Sequence, residues 1–73
     1  MNCYMISYPS EFGPEDHGFW EVNDEKARKF FKEFIENKQK ESPGTSGALD
    51  RLYPATADLP ASLARIDYIP PPE

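Results

Sequence analysis

Seventy-three residues with a net charge of −5 and a single cysteine leave room for one domain with one small core and exclude an intramolecular disulfide framework. Six of the eight basic residues lie between Asn23 and Lys40, a segment that nets about +2, while the remainder nets about −7. Such a molecule is poorly built to hold nucleic acid, whose phosphates need clustered cations. It is better suited to a basic protein surface, where its charge would steer the encounter.

Taken in chain order, Cys3 to Tyr8 is rich in aromatic and apolar types and is closed by Pro9, which predicts a strand. Ser10 to His17 holds Gly13, Pro14 and three acids and reads as an exposed loop. Gly18 opens a second short strand over Phe19 to Val22, joined to the first as an antiparallel hairpin. Asn23 or Asp24 is the expected N-cap of a helix, with acids at 24 and 25 on the positive end of its dipole. Ala27, Phe30, Phe31, Phe34 and Ile35 recur at helical spacing and form one apolar face. The opposite face carries i, i+4 charge pairs such as Glu25 with Lys29 and Lys32 with Glu36. Pro43 and Gly44 end the helix near Lys40 or Glu41.

Ser42 to Gly47 reads as a flexible connector, and Ala48 to Tyr53 as one helical turn that brings Leu49 and Leu52 together. Ala55 to Ser62 is expected to be irregular. A third strand follows over Leu63 to Ile69, and Pro70 to Pro72 form an extended tail that cannot join a sheet ladder. The expectation is therefore one α+β domain over residues 1–73, with a flexible linker over about 41–62 and a proline-rich tail over 70–73. Its β-β-α-β order suggests a three-stranded antiparallel sheet in order 2-1-3, with one helix packed on one face in a split βαβ arrangement. Tyr4, Ile6, Trp20, Val22, Ile66 and Tyr68 would face Phe30, Phe31, Phe34 and Ile35. Cys3, Met5, Ser7, Phe19 and Glu21 would face solvent.

Few residues invite a chemical reading. His17 follows Glu15 and Asp16, but one histidine in a Gly/Pro loop lacks the fixed, converging ligands of a metal or acid–base site. Cys3 has no cationic neighbour to activate its thiol, and no catalytic or phosphate-binding motif occurs. The expectation is a cytoplasmic, non-enzymatic protein with no cofactor, no metal, no membrane span and no direct contact with nucleic acid. Phe19 and Trp20 are adjacent on a strand and point to opposite faces, so one of them remains outside as a candidate protein anchor. With the neighbouring acids, the candidate partner-binding set is Met5, Glu11, Phe12, Glu15, Asp16, Phe19 and Glu21. The edge of the second strand is a further docking candidate, able to take a partner's extended segment.

Four features recur together: the length, the opening Met1-Asn-Cys-Tyr-Met-Ile-Ser-Tyr8, the helix Glu25-Lys-Ala-Arg-Lys-Phe-Phe-Lys-Glu-Phe-Ile35 and the proline-rich end. In these the whole chain resembles the small transcription regulators of lytic Xanthomonas phages. The resemblance implies an acidic protein that binds host bacterial RNA polymerase near the N-terminus of its β′ subunit. It also implies inhibition of initiation and antitermination during elongation, with no residue role carried over. The alternative expectation is an acidic inhibitor, of DNA-mimic or immunity type, that blocks a basic nucleic-acid-binding surface of a host enzyme.

Overall fold

The computed structural model describes residues 1–72; Glu73, the last residue of the expected tail, lies outside them. Five elements follow one another: β1 (Asn2–Ser10), β2 (Gly13–Glu21), α1 (Asp24–Glu41), β3 (Gly47–Tyr53) and β4 (Ser62–Ile69). The strands form one four-stranded sheet in order β2-β1-β3-β4, with every neighbouring pair antiparallel. Because β1 lies between β2 and β3, the helix that joins those two strands makes a split βαβ crossover.

The sheet corrects the sequence reading at three points. The expected loop over Ser10 to His17 is mostly strand, and only Glu11 and Phe12 form the turn. Neither turn residue adopts positive φ, while Gly13 sits at φ 108°. Gly13 thereby supplies the backbone step that an L side chain resists and that returns the chain to its partner strand. Secondly, the expected helical turn at Ala48 to Tyr53 is strand β3, and it interrupts the expected linker. The residues Gly47 to Asp50 are buried, so apolar side chains occur on both faces, the alternation is blurred, and Leu49 and Leu52 mimic a helical i, i+3 pair. The sheet thus has four strands in order 2-1-3-4: β3 takes the place beside β1 that was expected for Leu63 to Ile69, and that segment, as β4, pairs with β3 instead. Only the short connections on either side of β3 remain irregular.

Thirdly, the two aromatic neighbours on β2 are reversed. A two-residue turn sets the register so that Phe19 opposes Tyr4 and Trp20 opposes Cys3. Phe19 therefore shares the helix-facing side with Tyr4, and Trp20 points away, 64 % exposed. Tyr68 also points outward, and Val22 lies exposed beyond the strand; Ile66 packs inward as expected. The fully buried core is Tyr4, Ile6 and Leu49 from the sheet against Ala27, Phe31 and Ile35 from the helix. Phe30 and Phe34 flank it, and their rings continue the core towards β2 through Phe19 and His17.

Asn23 caps the helix, its side chain accepting a hydrogen bond from the backbone N–H of Lys26 at 2.8 Å, as its residue type and position predict. At the other end the backbone N–H of Ser42 donates to the carbonyl of Lys38 at 2.8 Å. Asp24 ties the helix start to the sheet: it accepts from the Tyr4 hydroxyl at 2.6 Å and from Arg51 at 3.4 Å. Burial, and then the hydrogen bond to Asp24, push the Tyr4 phenol above its ordinary value, so it stays a neutral donor.

Candidate interaction surface

The candidate partner-binding residues do not form one patch; the sheet distributes them to three places. Glu11, Phe12 and Glu15 gather at the hairpin end, beside the C-terminus of the helix. There a cleft of about 430 Å³ is lined by these three residues with Tyr8, Lys38, Glu41 and Thr45 among others. The Tyr8 hydroxyl donates to Glu15 at 2.9 Å, and that bond, more than burial, raises the phenol above its usual value. Lys38 lies 5.3 Å from the Tyr8 ring centroid and 5.5 Å from that of Phe34, close enough for cation–π attraction. Phe12 lines the same cleft and is 87 % exposed.

Met5 and Asp16 lie instead on the sheet face opposite the helix. Asp16 accepts from the Ser7 hydroxyl at 2.9 Å, and Met5 is half-buried between Gly18 and Asp50. Phe19 and Glu21 are on the helix side. Phe19 stacks on Tyr4 at 5.5 Å and contacts Phe30 at 4.4 Å, which removes it from the candidate set as an exposed anchor. Glu21 accepts from the backbone N–H of Val22 at 2.8 Å.

The exposed anchor that sequence reasoning missed is Trp20. Cross-strand registers place Trp20, Cys3, Leu52 and Leu63 in one continuous row across all four strands, on the face the helix leaves open. Trp20 and Leu63 are more than half exposed. The next row, Gly18, Met5, Asp50 and Arg65, is mixed, and there Arg65 donates to the nearly buried Asp50 at 2.9 Å. The signal that finds Trp20 is the turn length, because a one-residue change of register exchanges the two faces of a strand.

Charge on this surface is one-sided. The first 25 residues contain no lysine or arginine but include Glu11, Glu15, Asp16, Glu21, Asp24 and Glu25. The β1–β2 hairpin itself is accordingly anionic, and the helix brings one cation, Lys38, to the cleft at its turn. Among the described residues no group of three or more His, Cys, Asp or Glu is arranged to hold a metal ion, and no helix is long and apolar enough to cross a membrane. No protein family, no curated protein and no solved structure matches the chain.

Proposed function

We propose that this chain is a protein-binding regulator that docks on bacterial RNA polymerase, at the N-terminal region of the β′ subunit. There it holds back initiation and favours read-through of terminators. The observation that carries this reading is the anionic β1–β2 hairpin with Phe12 and Trp20 exposed on it, which joins charge for a basic surface to aromatic anchors. The sequence resemblance supplies the partner. A protein seated where a promoter-recognition factor must also bind would lower the population of initiating enzyme by its differential affinity for the two states. The same bound protein would persist in elongation, after that factor has left, and bias the complex against termination.

The test is capture from bacterial lysate with the tagged protein, followed by salt elution and identification of the bound chains. Stoichiometric β and β′ support the proposal. Charge reversal at Glu11, Glu15, Asp16 and Glu21 together should abolish that capture; retained capture counts against a hairpin interface. Capture of a different nucleic-acid enzyme, released by competing duplex, would replace this reading with the inhibitor of a basic nucleic-acid-binding surface.

A further inference from the structure

The outer edge of β2 is open, and its free hydrogen-bonding groups can be assigned. Pro9 and Pro14 oppose each other in the β1–β2 ladder. A hydrogen-bonded antiparallel pair exchanges two N–H···O bonds, and two prolines have no N–H to exchange. That pair is therefore a non-hydrogen-bonded one, and strict alternation puts Asp16, Gly18 and Trp20 in the same class. Their N–H and C=O groups point away from β1, on the side where no strand follows, and all three residues are exposed.

The other edge is differently built. β4 is preceded by Pro60, followed by Pro70 to Pro72 and broken in register opposite Leu49 and Asp50. These are the devices by which sheets protect an edge from added strands. On β2 only Pro14 acts in that way, at the very start, and it leaves the three donors from Asp16 to Trp20 free.

We infer that the β2 edge accepts an extended cationic segment of a partner protein, which adds to the sheet as a fifth, antiparallel strand. The charge pattern selects this occupant. Glu15 and Glu21 flank the edge on the helix side, and Asp16 lies on the open side. A second copy pairing antiparallel about Gly18 would set Glu15 against Glu21 on one face, and like charges directly opposite are destabilising. A cationic strand turns the same positions into attractions. Opposite Trp20 it meets the apolar row of Trp20, Cys3, Leu52 and Leu63, and opposite Gly18 it finds space for a bulky side chain. The expected ligand thus carries cations at its two ends and an apolar middle. This deepens the regulator reading by naming the chemistry of its partner; it rests on protein binding, not on which enzyme is bound.

The probe is a capped peptide, Lys-Val-Val-Leu-Thr-Lys-Arg, against its counterpart with glutamate at each cationic position. Amide hydrogen exchange of the protein is read with and without the peptide. Saturation should slow the amides of Asp16, Gly18 and Trp20 while leaving those of His17 and Phe19, already bonded to β1, unchanged. Binding without that alternation, or equal binding of the glutamate peptide, overturns the proposal. Gly18→Pro removes one outward donor and should weaken binding about tenfold, the effect of losing roughly one hydrogen bond. Gly18→Ala should leave binding intact, since an added Cβ meets only the Tyr4 carbonyl oxygen at 3.9 Å. N-methylation of the peptide's central amide applies the same test without altering the protein, and undiminished binding of the methylated peptide also refutes the edge. Polymerase capture that survives Gly18→Pro in a folded protein removes the edge but not the polymerase; peptide binding without polymerase capture removes the polymerase but not the edge.

Discussion

Gly47→Ala tests the placement of β3 beneath the helix. Gly47 opens that strand and is buried, paired with Ile69 of β4. A Cβ at this position would overlap Ile35 Cδ1, come within 2.8 Å of Ile35 Cγ1 and lie 3.3 Å from Phe31 Cε1. Both neighbours are fully buried, so neither has open space to move into. Two effects oppose each other. The backbone of Gly47 lies outside the left-handed region, so alanine gains about 0.4–1 kcal/mol by restricting the unfolded chain. Overpacking a filled core costs about 1–3 kcal/mol, and the clash wins because Cγ1 is held close to the helix backbone. The expected net loss of about 1–2 kcal/mol corresponds to a fall in Tm of roughly 4–16 °C for a domain of this size. Urea unfolding followed by helical circular dichroism suits the measurement, since exposed Trp20 is a weak reporter of the core. Ile35→Val removes the overlapping Cδ1 and alone should cost about 0.5–1.5 kcal/mol. Combined with Gly47→Ala, it should fall short of the additive loss by at least about 0.5 kcal/mol, as contacting sites do. A Gly47→Ala protein as stable as the parent, or strict additivity in the pair, would refute this packing.

The reversal on β2 predicts that Trp20→Ala changes stability by no more than about 0.5 kcal/mol, whereas Phe19→Ala costs about 2–4 kcal/mol; thermal melts of the two variants decide it. Tyr4→Phe deletes the hydroxyl that donates to Asp24 and accepts from Asn2, and chemical denaturation should show a loss of about 1–3 kcal/mol. Because the folded Tyr4 phenol is raised, its contribution is fully present below the unfolded value of about 10 and is lost as pH rises through the folded value. The parent should therefore lose stability more steeply than Tyr4→Phe above pH of about 10, and parallel pH profiles would contradict the burial of this phenol. Gly13→Ala meets no atom within 4 Å, yet at φ 108° it should cost about 1–2 kcal/mol from backbone strain alone, visible as a lower urea midpoint.

The helix, its cap to within Asn23 or Asp24, and its apolar face were legible in the residues, because helical hydrogen bonds are local and a 3.6-residue period reports its own surroundings. The first strand and the charge asymmetry were legible for similar reasons, whereas Glu15 and Asp16, expected in a loop, lie on β2. Strand β3 was not. Its hydrogen bonds go to β1 and β4, and its buried Asp50 is tolerable only because Arg65 reaches it from fifteen residues away. A segment satisfied by distant partners carries no period of its own that distinguishes it from a helical turn. The same physics governs β2: its composition places one aromatic inside and one outside, but the turn at Glu11 and Phe12 decides which. By itself the sequence determined an acidic chain with one amphipathic helix packed on strands. Tertiary pairing decided that Phe19 packs against the core, that Trp20 is surface and that the anionic strand stands at an open edge, since register and strand order exist only between segments.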